Sequence, residues 1–341
     1  MQVSENVPLA THSTMGLGGQ AAYLTDVHAP EEVAEAVAWA AERHLPTLMI
    51  GGGSNIFWKD EGFPGLVIVN KIPGYETVEA DGGVILSVGG GELWDSVVER
   101  SARAGLTGIE ALSLVPGSTG ATPIQNVGAY GQEISQTLID VQAFDTQERQ
   151  SVTIPAAECG FSYRDSRFKT GPDRGRFYIT SIRLKLRKGN PAPPFYRVLQ
   201  QYLDEHGITE FTPQTIREAV IAIRTSKLPD PAKVRNNGSF FANPIVSETE
   251  FHRLEQTFSD VPHWPARHGV KLSAAWLIAQ AGFKDYHDAE TGMATWPKQS
   301  LVLVNEAARS TQDLLHFKQK IVDAVQAKFG ISLQQEPELL P

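Results

Sequence analysis

The sequence predicts an α+β protein built from more than one unit, and three observations carry that expectation. The chain has 341 residues, more than one hydrophobic core ordinarily organises, so two or three units are expected. Its first half alternates short apolar runs with segments of helical spacing. Its middle is dense in strand-like runs and glycine turns, and the part beyond a proline-rich stretch is again mixed, with longer helices. No internal repeat or low-complexity segment is present, which leaves a layered α+β architecture.

Ala29 to His44 has the apolar spacing of an amphipathic helix, with Pro30 and Glu31 suited to its first turn. Leu45 to Ile50 reads as a short buried strand running into glycines, and Leu66 to Asn70 and Gly83 to Val88 as further strands. Glu92 to Ala104 reads as a helix closed by Gly105. After a glycine-rich stretch, Leu138 to Asp145, Gln150 to Ile154 and Tyr178 to Leu186 have strand character. Lys188 to Phe195, rich in proline and glycine, reads as a linker. Pro213 to Thr225 follows as a helix with Thr212 as its cap, then Leu272 to Ala281 as a helix, Leu301 to Val304 as a strand and Thr311 to Phe329 as a long amphipathic helix. The expected division is 1–75, 76–190 and 191–341.

Composition narrows the partners. A formal charge of -9 argues against a nucleic-acid binder and against attachment to an anionic membrane surface. Met1 to Asn6 lacks the basic and apolar parts of a signal peptide, and no apolar run is long enough to span a bilayer. A cytoplasmic protein is expected, with a monomer as the favoured state. Cys159 is the single cysteine, which excludes an intramolecular disulfide and a cysteine metal cage. His252, His263, His268 and His287 have no metal-ligand spacing, so no metal site is expected.

Chemistry concentrates in a few segments. Gly238-Ser239-Phe240-Phe241, led in by Lys227-Leu228-Pro229-Asp230-Pro231, sets a small hydroxyl on a turn with aromatics to pack beneath it. The same stretch also reads as an ordinary turn entering a strand. Gly51-Gly52-Gly53-Ser54-Asn55 follows a strand and is slim enough for a pyrophosphate to approach its backbone, although a plain tight turn has the same composition. Ser118, Thr119 and Gly120 form another such turn, and Gly128-Ala129-Tyr130-Gly131 could lie against a flat ring. Two phosphate-friendly turns suggest an extended dinucleotide, without choosing between FAD and NAD. Gly16-x-Gly18-x-x-Ala21 imitates a dinucleotide fingerprint but lacks a convincing strand before it and helix after it.

An ordered set of segments resembles the UDP-N-acetylenolpyruvoylglucosamine reductases, the MurB flavoenzymes. The set comprises Thr14 to Gly19, Ile50 to Ile56, Gly108-Ile109-Glu110, Val115 to Gly131, Tyr163 to Lys169, Lys227 to Pro244 and Glu336-Pro337-Glu338. The resemblance implies a two-part FAD-binding unit of the vanillyl-alcohol-oxidase type, followed by a C-terminal α+β substrate-binding domain. It implies noncovalent FAD held by Gly51, Gly52, Gly53, Ser54, Asn55, Ile56, Ser118, Thr119, Gly120, Gly128 and Ala129. NADPH is implied as hydride donor and a UDP-sugar enolpyruvate as substrate. Arg164 falls on the family's carboxylate-stabilising position, Ser239 on its proton donor and Glu338 on its third catalytic position. Tyr196, Lys227 and Asn243 fall on substrate-binding positions. Two alternatives share parts of this pattern: another flavin enzyme on the same scaffold, and a nucleotide-binding module without catalysis.

Overall fold

A computed structural model describes residues 1–266 and 268–341. The chain forms two compact units that are discontinuous in sequence. One comprises Met1–Val7, Ala21–Gly52 and Phe63–Ser226, and the other Pro8–Gln20, Gly53–Gly62 and Lys227–Pro341.

The first unit contains two sheets. In one, Gln20–Val27, Phe63–Asn70 and Thr47–Ile50 run parallel in that order, with Ser4–Pro8 at the edge beyond Gln20–Val27. Phe63–Asn70 is buried along nearly its whole length, as a strand paired on both sides and covered by a helix should be. The covering helix is Pro30–Ala41, whose Val33, Ala36, Val37 and Ala40 recur at helical spacing and pack with Val27, Leu66 and Ile68. The other sheet is antiparallel, in the order Gln150–Pro155, Leu138–Asp145, Phe177–Lys188, Gly83–Gly89 and Tyr75–Ala80. Along its central strand Ile182, Leu184 and Leu186 are buried while Arg183, Lys185 and Arg187 are not, the alternation of a sheet with one dry face. The helix Trp94–Arg103 covers that face with Trp94, Val97, Val98 and Ala102. It stops where Gly105 takes φ +70°.

Two more helices, Arg197–Glu205 and Pro213–Lys227, follow the irregular stretch after Lys188. Leu199, Leu203, Ile216, Val220 and Ile223 form their shared core. The first of these helices was not expected: it is short, and it follows immediately on a proline-rich stretch that masks its start. The longer one is anchored by Arg217, which grips Asp95 through Nη1 to Oδ1 at 2.6 Å and Nη2 to Oδ2 at 2.9 Å. Asp95 also accepts from Leu114 N at 2.6 Å. Burial alone would raise the Asp95 carboxyl, but the bonds from Arg217 and Leu114 outweigh it and hold the group below its ordinary value.

A depressed carboxyl stabilises the fold fully above its unfolded value near ~3.9, and that stabilisation is lost as pH falls through the lower folded value. Arg217→Met is therefore expected to cost about 2 kcal/mol at neutral pH, less than the ~3–5 kcal/mol of a fully buried pair because Asp95 keeps some contact with water. The gap from the parent should narrow as pH drops below ~4. Urea melts at stepped pH check this, and a gap that stays constant to acid would remove the pair from the account.

The second unit has an antiparallel sheet in the order Arg235–Ser239, Gln299–Asn305, Met293–Trp296 and His287–Asp288. A second small sheet joins Ile245–Val246, Gly269–Leu272 and His263–Ala266. Thr311–Phe329 matches its expected bounds because both ends are signposted. Ser310 and Asp313 form a reciprocal capping box, and Gly330 closes the helix at φ +73°. Its Leu314, Phe317, Ile321, Val325 and Phe329 enter a core with Phe57, Phe240, Phe241, Leu277 and Ile278. Each such burial contributes on the order of 1.5–3 kcal/mol, well above the helix propensity differences among ordinary residues. The helix expected from Leu272 begins instead at Ala274, because Leu272 completes a strand and Ser273 caps the helix by accepting from Trp276 N. Glu248–Thr257 is a further helix that the sequence pattern only weakly announces. Its capping box of Ser247 and Glu250 was legible, but only Phe251 and Leu254 mark a buried face.

Candidate active site

In the first unit the two glycine turns meet. A Cβ on Gly51 would overlap Ser118 Oγ, and one on Gly52 would lie 3.2 Å from Gly117 Cα. A side chain on Gly51 would displace the Ser118 hydroxyl, and one on Gly52 would press on the Gly117 backbone. The second turn is tied to the start of the helix Trp94–Arg103 by Trp94 N donating to Gly117 O at 3.0 Å. Thr119 spends both its amide and its hydroxyl on Glu92 O, at 2.9 and 3.0 Å, and Gly120 N donates to Gly90 O at 2.9 Å. Ser118 is different. Its Oγ is buried with no hydrogen-bond partner among the described residues, a costly state for a hydroxyl unless a ligand engages it. A slim backbone cradle with one unspent hydroxyl fits the phosphates of a dinucleotide.

Gly128–Ala129 pairs with Gln132–Glu133 in a tight hairpin whose turn holds Tyr130 at φ +46°. Arg164, itself at φ +58°, reaches this hairpin and donates from Nη2 to Gly128 O at 2.7 Å. The carboxylate of the neighbouring Asp165 accepts from Ser166 N and Thr170 Oγ1. The hairpin is braced by Glu110, which accepts from Thr107 Oγ1, Gly108 N and Gln132 Nε2. Asn126 adds bonds to Glu133 and to Ser162 O. Gly108-Ile109-Glu110 is thus a support for the turn. Tyr196 precedes the helix Arg197–Glu205, is 40% exposed, and meets Tyr130 edge to face at 6.2 Å. Burial pushes the Tyr130 hydroxyl up, and the adjacent Arg224 guanidinium pulls it partway back.

The second unit presents Ser239 from a bulged strand. Asn236 faces Val304 and Ser239 faces Val302, so three steps on one strand oppose two on the other. Gly238 absorbs the extra residue at φ +70°, and its amide donates to Asn236 Oδ1 at 2.8 Å. Phe240 and Phe241 are fully buried beneath, and Phe240 packs on Phe57 at 5.8 Å between ring centres. The expected turn is therefore a bulge at the end of a strand, which re-aims the serine.

Glu338 belongs to the same unit. Glu338–Leu340 pairs in parallel with Ile56–Trp58, with Glu338 opposite Ile56, and Glu338 N donates to Asn55 O at 2.9 Å. Just before it, Glu336 N donates to Phe240 O at 2.9 Å. The segment is built into the fold and is no loose tail. Ser54, Asn55 and Ile56 lie in this unit, whereas Gly51 and Gly52 lie in the first.

Lys227 ends the helix Pro213–Lys227, exposed, with its carbonyl accepting from Trp296 Nε1 at 3.0 Å. Asn243 Oδ1 accepts from Ala274 N at 3.0 Å. The glycines of Thr14 to Gly19 pack against Arg235, Trp58 and the Asp60 to Gly62 backbone, so they serve close packing and not a dinucleotide fingerprint. Cys159 is fully buried, and burial pushes its thiol up to about 12, which leaves it unreactive at neutral pH. No group of metal-ligating side chains occurs among the described residues, and no helix of them is long and apolar enough to cross a membrane.

Comparison with known proteins gives two family matches: residues 21–149 match an FAD binding domain, and residues 230–340 match the C-terminal domain of UDP-N-acetylenolpyruvoylglucosamine reductase. The chain is 38% identical to the UDP-N-acetylenolpyruvoylglucosamine reductase of Pseudomonas putida, over 99% of each chain. It is 40% identical to that of Thermobifida fusca, over 99% of this chain and 98% of the other. The crystal structure of the Thermus caldophilus enzyme superposes with a TM-score of 0.68 at 25% identity, covering all of both chains.

Proposed function

The chain belongs to the UDP-N-acetylenolpyruvoylglucosamine reductases, and from that membership we propose that NADPH is its hydride donor and that Arg164, Ser239 and Glu338 carry its reaction. The reaction is the FAD-dependent reduction of UDP-N-acetylglucosamine enolpyruvate to UDP-N-acetylmuramate in peptidoglycan precursor synthesis. The observation that supports this catalytic set best is the bulge at Ser239, hydrogen-bonded through Phe240 to the segment that carries Glu338.

FAD, when bound, supplies the two-electron carrier that lets oxidation of the donor and reduction of the substrate occur in turn. We assign its phosphates to the Gly51-Gly52-Gly53 and Ser118-Thr119-Gly120 turns, with Ser54, Asn55, Ile56, Gly128 and Ala129 completing a noncovalent site. The unspent Ser118 hydroxyl supports the assignment. Hydride addition at the terminal vinyl carbon leaves an enolate-like carboxylate. Arg164 suits its stabilisation, since a guanidinium keeps its charge and can form two parallel hydrogen bonds. Ser239 gives its proton to the carbon next to the carboxylate and regains one from its surroundings. Glu338 supports the enol. Tyr196, Lys227 and Asn243 position the UDP-sugar, with Asn243 offering its Nδ2 because Oδ1 is engaged by Ala274. On this reading 1–75 and 76–190 contribute the two parts of the FAD site and 191–341 the substrate site, and the protein works as a cytoplasmic monomer.

Purified protein incubated with NADPH and the enolpyruvyl UDP-sugar should yield a product heavier than the substrate by two hydrogens, read by mass spectrometry. Unchanged substrate with NADPH consumed in air would indicate an oxidase on the same scaffold.

Glu338 and Glu336 form an internal control. Glu338 opens the strand Glu338–Leu340, whereas Glu336 lies ahead of it across a bend at Pro337, with its amide bonded to Phe240 O. Glu338→Gln is expected to slow single-turnover substrate reduction by about tenfold or more, whereas Glu336→Gln changes it much less. Equal rates in Glu338→Gln and the parent would reduce the catalytic set to Arg164 and Ser239.

A further inference from the structure

Asn237 sits inside the bulge, two residues before Ser239, and is 5% exposed. Its Nδ2 lies 3.1 Å from Thr14 Oγ1, 3.3 Å from Ser54 O and 3.2 Å from Ile56 O. Two of these are main-chain carbonyls, which only accept, so the atom facing them is fixed as the NH2 group. The carbonyl end of the same amide, Oδ1, is buried without a partner among the described residues. A buried amide that is satisfied on one end only is a poor way to stabilise a fold. An apolar side chain of the same size would fill the space without that penalty.

The amide does join the segments whose relative placement the reaction needs. Ile56 is the parallel partner of Glu338, and Asn55, between the two gripped carbonyls, accepts from Glu338 N. At its other end Asn237 is part of the bulge that aims Ser239. Neighbouring bonds lock the bulge to the same N-terminal segment: Asn236 N donates to Thr14 O at 3.0 Å, and Thr14 Oγ1 donates to Asn236 O at 2.6 Å. We propose that Asn237 is a positioning residue that sets the Ser239 bulge against the strand beside Glu338, so that proton donor and carboxylate keep one spacing. The inference rests on the roles proposed above for those two residues.

Two variants separate geometry from space filling. Asn237→Leu keeps the volume and removes the donor, while Asn237→Ala removes both. With FAD bound, each should be reduced by NADPH within about twofold of the parent, because Gly53 O and Thr14 N still hold the turn beside Ser54 at 3.0 Å. Each should pass hydride to the enolpyruvyl substrate about 10-fold or more slowly, the scale of a misplaced catalytic group. That step should also show a larger solvent deuterium isotope effect than in the parent, since proton donation has become harder. Stopped-flow kinetics of the two half-reactions in H2O and D2O give all three readings.

If Asn237→Leu reduces substrate at the parent rate, Asn237 only fills space and the inference is overturned. Equal slowing of both half-reactions in both variants, or lost flavin, would overturn it too, by making Asn237 a support of the fold. If the parent itself leaves the enolpyruvyl substrate unreduced, the proposed function fails first, and that result is distinct from either of these.

Discussion

Ser239→Ala is expected to bind FAD and accept hydride from NADPH at close to the parent rate, yet to reduce the enolpyruvyl substrate about 10²-fold or more slowly. The asymmetry follows from where the hydroxyl sits. Ser239 ends a strand whose register is held by Gly238, by main-chain pairing to Val302 and by Phe240 and Phe241 in the core, so removing Oγ disturbs no support of the fold. It removes a proton that only the second half-reaction uses. A serine is a weak acid in water, and the size of the loss therefore measures how far its surroundings assist it. Stopped-flow absorbance of each half-reaction decides the matter. Equal slowing of both would assign Ser239 to flavin positioning.

Gly51→Val is expected to leave the protein nearly devoid of flavin. Its Cβ would overlap Ser118 Oγ and drive that hydroxyl from its place, with a branched side chain added beside it. The turns cannot separate cheaply, because Gly117 O, Thr119 and Gly120 are each bonded to the Gly90 to Trp94 segment. Absorbance of the purified variant near the flavin band, against protein concentration, gives the occupancy. Full occupancy would take this turn out of the cofactor site. Ser118→Ala is the milder companion: it should weaken FAD by the worth of one hydrogen bond to a charged group, about 1.5–3 kcal/mol.

Much of the fold was legible where local signals agree with the buried face. Leu138–Asp145 matches its expected bounds, and so does Thr311–Phe329 with its capping box and closing glycine. Elements whose stability comes from distant partners were harder to see. Glu338–Leu340 is a strand only because Ile56–Trp58 lies beside it, and nothing within the last residues announces that pairing. Segments 8–20 and 53–62 pack with the C-terminal part of the chain, a grouping that no linear boundary describes.

The candidate site shows the same split. Glycine turns and the Ser239 segment stand out by residue type. The register of the bulge, the meeting of Gly51 with Ser118 and the three acceptors around Asn237 are tertiary facts. Asn237 has no legible role in the sequence, because an asparagine in a turn-like stretch reads as turn chemistry. Only its burial and its reach to Ser54 and Ile56 point elsewhere.

The most direct test of the central claim is an anaerobic titration followed by absorbance. Yellow protein should bleach on adding NADPH and stay bleached when excess donor is removed. Colour should return on adding UDP-N-acetylglucosamine enolpyruvate, with UDP-N-acetylmuramate formed in equal amount. Colour that fails to return with this substrate, or that returns without the matching product, would contradict the account.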